Sequence, residues 1–298
     1  MSLPHLCICI CTCGRPRLLE RLLRDIARQD TRGEFTFSVV VADNDAAQSA
    51  RAIAEACARE CPLALTYVVE PERNIALVRN TAVANATGDF LVFIDDDEFP
   101  VPDWLLNLFR TCEARQVAGV LAPVMPHFEQ TPPRWIIKGG FYDRPTHPTG
   151  FVMPWQECRT GNVLLRRNIF DPAEPPFRRE FGTGGEDQDF FRRMIDKGHR
   201  FVWCDEAIAF EVVPPSRWSR RFMVSRALLR GRNSLRHRRN RGRNLLKSAV
   251  AIPAYTLALP VLLVAGQHHF MRYLVKLADH TGRLLASVGL NPVRERRM

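Results

Sequence analysis

Apolar residues follow two alternating periods along the first part of the chain. His5 to Cys13 (HLCICICTC) is an apolar run of strand length, broken by Gly14-Arg15-Pro16. Leu18, Leu19, Leu22, Leu23 and Ile26 then recur at helical spacing, predicting a helix over Arg17 to Gln29. Phe35 to Ala42 is rich in β-formers and ends at Asp43-Asn44-Asp45. An Ala-rich helix is expected over Ala46 to Cys61, a short strand over Leu65 to Val69, and a helix over Asn74 to Ala86. Asp89 to Ile94 is a fourth strand, and it runs straight into Asp95-Asp96-Asp97. Strands alternating with helices over short connections predict an α/β fold, Rossmann-like, with a mostly parallel sheet flanked by helices.

In such sheets ligands gather beyond the carboxyl ends of the strands. Three polar tips fall there: Thr12 to Arg15, Asp43 to Asp45, and Asp95 to Asp97. Adjacent carboxylates repel by roughly 1–4 kcal/mol per pair. A divalent cation resolves this, with Mg²⁺ or Mn²⁺ taking one or two carboxylates plus phosphate oxygens and water. A solvated turn, or an N-cap for the helix starting near Trp104, explains the same residues without a metal. A second acidic signal is Gly184-Gly185-Glu186-Asp187, where a glycine loop delivers two carboxylates to a helix start. A carboxylate there can serve as general base, or simply favour the helix dipole.

Nine cysteines are present, and Cys7, Cys9, Cys11 and Cys13 alternate along one strand face. A linear row does not converge on a metal, so reduced structural thiols in a cytosolic setting are expected. No secretory leader is read at the N-terminus. The formal net charge of +10 is concentrated in one segment. Arg217 to Lys247 holds eleven Arg, one Lys and no acid, so the remainder sums to −2. The nineteen residues Ser248 to Gly266 carry no charge, although Pro253 and Pro260 interrupt them, and Phe270 to Leu290 is amphipathic. A bilayer crossing needs about this length. The far flank also carries Arg272, Lys276, Arg283 and Arg294, which fits an interfacial or re-entrant arrangement better than a crossing. The expected organisation is a catalytic domain over 1–215 and a basic, apolar, membrane-associated helical tail over 216–298. The arginine block raises nucleic-acid binding as a rival reading. Its apolar neighbour and the absence of a groove-reading motif count against nucleic acid as a partner.

Four motifs, CTCGRP, VVADND, RNTAVANATGDFLVFIDDDE and GGEDQDF, stand in one order over residues 5–215. Together they make the sequence resemble family 2 glycosyltransferases of the GT-A fold. VADNDAAQSAR, TPPRW, RTGNVLLRR and GGEDQDFF extend the likeness to bacterial enzymes adding glucose to succinoglycan-type exopolysaccharide. The resemblance implies an inverting, metal-dependent hexosyltransferase using a nucleotide-sugar, UDP-glucose or similar, and a lipid-linked or polysaccharide acceptor. It places the enzyme at the cytoplasmic face of the inner membrane. By position it implies that Thr12 and Arg15 line the nucleotide pocket and that Asp43 bonds the uracil or ribose edge. Asn74 and Arg79 would lie near the base or diphosphate. Asp95 and Asp96 would contact the ribose and the metal's water shell, with Asp97 as direct ligand to Mn²⁺ or Mg²⁺. Asp187 would be the general base, with Glu186 orienting the acceptor. Many relatives carry a His after the last core strand; here Phe210 and Glu211 occupy that place, making Glu211 a candidate metal ligand. Trp135 and Asn162 are candidates for binding the acceptor or the transferred sugar. Ser216-Arg217-Trp218 is only a fragment of the processive motif, so single-sugar transfer is expected. A sugar nucleotidyltransferase also uses acidic metal sites on α/β sheets, but its early glycine-rich basic phosphate loop is missing.

Overall fold

The computed structural model describes residues 2–236 and 241–290. Part of the expected Arg-rich helix (237–240) and Arg294 lie outside them. The chain divides into two compact units, one of residues 1–125 and 144–211 and one of 126–143 and 212–297.

The first unit is built on a seven-stranded sheet. Its N-terminal strands are β1 (His5–Thr12), β2 (Thr36–Asp43), β3 (Leu65–Val69) and β4 (Phe90–Asp95), all mutually parallel. Strands β6 (Gly119–Leu121), β8 (Val163–Arg166) and β9 (Phe201–Trp203) complete the order β3-β2-β1-β4-β8-β6-β9. β8 is antiparallel to both β4 and β6, so a mostly parallel sheet carries one reversed strand beside its acidic tip. Short strands β5 (Glu98–Pro100) and β10 (Ala209–Val212) pair antiparallel, with Phe99 stacked on Phe210 at 5.3 Å. β7 (Val124–His127) begins in the first unit and enters the second.

The period-2 pattern of β1 divides the core. Leu6, Ile8 and Ile10 face α1 (Pro16–Ile26) and α4 (Trp104–Arg115), while Cys7 and Cys9 face the opposite layer with Val78 and Phe190. All nine cysteines are free thiols. Helix α1 starts on Pro16, whose fixed φ suits a first helical turn, and buries Leu19, Leu22, Leu23 and Ile26. Helix α2 (Arg51–Glu60) begins later than its Ala-rich composition predicts. Asp43 captures the Ala50 amide at 3.0 Å and holds 44–50 as a loop. Helices α3 (Ile75–Asn85) and α6 (Glu186–Asp196) cover the second layer.

The second unit contains α5 (Arg134–Gly139), α7 (Arg220–Asn233), α8 (Arg241–Ala265) and α9 (Gln267–Ser287). Ile136, Met223 and Met271 form its centre, with Phe128, Trp135, Phe141 and Trp218 packed around them. Gly231 and Gly282 let α7 and α9 touch backbone to backbone. A Cβ on Gly231 would lie 2.0 Å from the Asp279 carbonyl, and one on Gly282 2.2 Å from that of Leu228.

Candidate active site

The parallel strands β1 and β4 are neighbours in register, with Cys11 opposite Asp95, so their polar tips meet. Thr12 Oγ1 donates to Asp96 Oδ2 at 2.8 Å. Arg15 Nη1 donates to Asp96 Oδ1 at 2.9 Å and to Asp97 Oδ2 at 3.2 Å. Asp96 and Asp97 are nearly buried, whereas the Asp95 side chain is 46% exposed. Desolvation pushes the Asp96 carboxyl up to about 6; Arg15 opposes this and Asp97 adds to it.

Asp95 begins a second set of contacts. Buried Arg79, projecting from α3, lies 3.6 Å from Asp95 Oδ1 and ion-pairs through Nη1 with Glu186 Oε1. The other Glu186 oxygen is buried without a hydrogen-bond partner. Glu186 is only 3% exposed and holds the Arg79 guanidinium. Gly184 and Gly185, at φ +118° and +96°, turn the chain into α6 in a conformation that favours glycine. Asp187 follows at partial exposure, with Oδ1 accepting the Gln188 amide at 2.7 Å. The invisible partner in that motif is Asp189, fully buried between Arg178, Arg192 and Arg193, which anchors the helix start.

Two acidic residues join Asp95 from the short sheet. Glu98 is buried, and its Oε2 accepts the Asp95 amide at 3.2 Å. Arg144 lies 3.9 Å from Glu98 and ion-pairs closely with Glu211. Desolvation raises the carboxyls of Asp95 and Glu98, and Asp97 and Glu211 raise both further against the pull of Arg144. Gly161 lies against this group: a Cβ there would sit 2.9 Å from Glu98 Oε1 and 3.2 Å from Asp95 Oδ2. Glu98, Arg144 and Gly161 were not among the residues expected from sequence. Glu98 merely extends the acidic run by one, and Arg144 sits in a loop with no motif around it.

Several expected site residues are committed elsewhere. Asp43 is fully buried, with its oxygens accepting Asp45 N at 3.0 Å, Ala50 N at 3.0 Å and Tyr67 Oη at 2.7 Å. Its carboxylate shapes the loop. Asn74 caps α3, its Oδ1 accepting from Ala76 and Leu77 while Nδ2 donates to the Arg179 carbonyl. Gly182 packs against that amide so closely that a Cβ would lie 2.4 Å from it. Asn162 is fully buried at φ +59°. It accepts from Trp104 Nε1 at 2.7 Å and donates to the carbonyls of Pro123 and Ala207 at 2.7 and 2.9 Å. Its amide thus pins three segments together. Trp135 belongs to the second unit, half-buried and edge-on to Phe141 at 5.3 Å, so packing accounts for it.

The match to the family model described as "Glycosyl transferase family 2" covers residues 7–171, from β1 through the acidic tip to β8. The chain belongs to glycosyltransferase family 2. This family 2 glycosyltransferase is 34% identical to the succinoglycan biosynthesis protein ExoM of Rhizobium meliloti (strain 1021), over 98% of this chain and 95% of ExoM. Among solved structures it resembles the mannosyltransferase PcManGT from Pyrobaculum calidifontis, in complex with GDP-Man and Mn²⁺. The TM-score is 0.64 at 21% identity, over 95% of this chain and 88% of that one. It also resembles S. aureus TarS 1-349 in complex with UDP, with a TM-score of 0.55 at 16% identity over 97% and 93%. It spans 40% of a longer TarS chain. At these identities the structural likeness establishes the GT-A-like fold.

The residues present suit a hard divalent cation. Asp96 and Glu98 have carboxyls driven upward by burial and by neighbouring carboxylates, a crowding of acidic groups that a cation relieves. Among the described residues no three His, Cys, Asp or Glu side chains form a ready ligand group. Mg²⁺ or Mn²⁺ takes one or two protein carboxylates and completes its shell with phosphate and water.

Proposed function

We propose that this glycosyltransferase is an inverting, divalent-cation-dependent hexosyltransferase. It moves one sugar from a UDP-sugar, glucose or a near relative, to a lipid-linked or polysaccharide acceptor in exopolysaccharide synthesis. The observation that carries this reading is the continuity of one polar cluster. Thr12 and Arg15 touch Asp96 and Asp97, and Arg79 joins Asp95 to Glu186 directly before Asp187. The likeness to ExoM supports the biosynthetic setting, and the UDP and GDP-Man complexes of TarS and PcManGT support a nucleotide-sugar donor.

In this reading Asp97 holds Mn²⁺ or Mg²⁺, with Asp95 and Glu211 close by. The cation, when bound, neutralises the diphosphate and stabilises the departing nucleotide. Arg15 binds the nucleotide side of the donor, and Arg79, kept in place by Glu186, adds positive charge near the diphosphate. Asp187 takes the proton of the acceptor hydroxyl as its oxygen attacks the anomeric carbon. The carbon–oxygen bond to the diphosphate breaks on the opposite face, so configuration inverts. The domain over 1–215 does the chemistry, and the tail over 216–298 keeps it at the cytoplasmic face of the membrane, beside its acceptor.

The test is a panel of nucleotide-sugars assayed for Mn²⁺-dependent binding and turnover. Asp187→Asn is expected to keep donor binding and lose transfer; wild-type transfer by this variant would remove Asp187 as base. Consumption of a nucleoside triphosphate with release of pyrophosphate would overturn the transferase reading in favour of a nucleotidyltransferase.

A further inference from the structure

Among the described residues one helix segment, Gly242–Ala265, is long and apolar enough to cross a membrane, with only 6% of its most apolar stretch buried. Its surroundings within the second unit decide how it can meet lipid. The inward face of α8 lies on α9: Ser248 is fully buried and lies 2.9 Å from His280 Nδ1 and 3.1 Å from Arg283 Nη1. One to two turns further on, Tyr255 packs edge-on to Tyr273 at 5.4 Å. α9 is in turn fixed to the rest of its unit. Met271 is fully buried against Ile136 and Met223, Arg272 donates to the Gly139 carbonyl at 2.8 Å, and Arg230 on α7 pairs with Asp279 at 2.8 Å. The paired glycines Gly231 and Gly282 bring α7 and α9 into direct backbone contact. A crossing α8 would therefore draw α9 into hydrocarbon together with Arg272, Lys276, Asp279, His280 and Arg283, which is strongly unfavourable.

Among the described residues the outward face of α8 has no such partner. Leu246, Val250, Leu257, Val261 and Val264 are 55–91% exposed as a group with Leu263, and the first five recur at helical spacing. Exposed Arg243 and Lys247 flank this stripe, within the segment Arg217 to Lys247 that has twelve basic and no acidic residues. We propose that α8 lies in the plane of an anionic membrane surface, its Leu246–Val264 stripe entering the interface without crossing the bilayer. Charge complementarity selects anionic lipid as the occupant, because the basic residues around the stripe gain from a negative leaflet. This deepens the membrane-surface reading above and is independent of the chemistry assigned to Asp97 and Asp187.

The experiment uses the full chain with vesicles of phosphatidylcholine alone or mixed with phosphatidylglycerol. Wild-type protein is expected to co-sediment with the mixed vesicles far more than with the neutral ones, and to be released by alkaline carbonate. Leu257→Glu combined with Val261→Glu should lower partitioning on the order of tenfold or more, and Arg243→Glu with Lys247→Glu should remove the preference for anionic lipid. Donor hydrolysis in solution, measured on the same samples, should stay at the wild-type rate, so a failed membrane test is separable from a failed catalytic one. Retention through carbonate extraction would overturn the proposal in favour of a crossing helix. Wild-type partitioning by Leu257→Glu/Val261→Glu would overturn the assigned stripe. Loss of a wild-type dimer in that variant, with no vesicle binding by either protein, would overturn it in favour of a second copy of the chain. Val264→Glu, at a position 91% exposed, repeats the test where folding is least at risk.

Discussion

Asn162→Ala separates a sugar-contacting role from a structural one. The wild-type amide closes three buried hydrogen bonds, to Trp104 Nε1, the Pro123 carbonyl and the Ala207 carbonyl. Each is worth about 1 kcal/mol, and the substitution also leaves the indole N–H and the Ala207 carbonyl unpaired in the interior, while the Pro123 carbonyl keeps the Ala209 amide. Alanine must further adopt the left-handed backbone seen at φ +59°, which adds roughly 1 kcal/mol. The total expected destabilisation is about 3–5 kcal/mol. Urea denaturation followed by tryptophan fluorescence reads it directly, since Trp104 is one of the three partners. Asn162→Gly relieves the backbone contribution alone and should recover about 1 kcal/mol relative to Ala. A loss below about 1 kcal/mol, with donor or acceptor binding abolished in a normally stable protein, would refute the structural assignment.

Three further outcomes test the site. Asp97→Asn should lower the Mn²⁺-dependent rate about 100-fold or more, and an unchanged metal titration would exclude Asp97 as ligand. Gly161→Ala should weaken divalent-cation binding about tenfold, near 1.4 kcal/mol, because its Cβ presses on Glu98 and Asp95; calorimetric titration with Mn²⁺ reads this. The Asp96 carboxyl, raised to about 6, holds its proton more tightly when folded. Its stabilising contribution is complete below the unfolded value near 4 and is lost as pH climbs through about 6, on the order of 2–3 kcal/mol in the metal-free protein. Thermal melts across this window should show Asp96→Asn losing that slope; identical pH profiles would refute it.

The α/β alternation was legible because each buried strand and amphipathic helix has its own period, from His5–Thr12 through Phe90–Asp95. The acidic tip was legible for the same reason, since β4 ends where the apolar run ends. The reversed strand β8 was not, because a four-residue apolar run has no direction of its own. Nor could sequence distinguish a polar residue that faces a ligand from one that serves its own loop. Asp43, Asn74 and Asn162 look like binding residues in their motifs, yet Asp43 and Asn74 accept from amides of their own loops and Asn162 donates to carbonyls of distant segments. The pairing of β5 with β10, segments more than a hundred residues apart, sets Glu98 beside Glu211, and Arg144 reaches both from a loop.

The Arg79–Glu186 pair bears on how the protein is made. During synthesis α3 emerges from the ribosome with a guanidinium destined for the interior, and its carboxylate partner follows 107 residues later. A fragment ending at Asp171 would contain the segment matching the family model and still leave Arg79 without Glu186. Such a nascent chain has a reason to stay open around α3, where sealing the layer early would bury a cation left with only the longer contact to half-exposed Asp95. The emergence of GGEDQDF is thus the event that permits closure, tying completion of the core to completion of the catalytic loop.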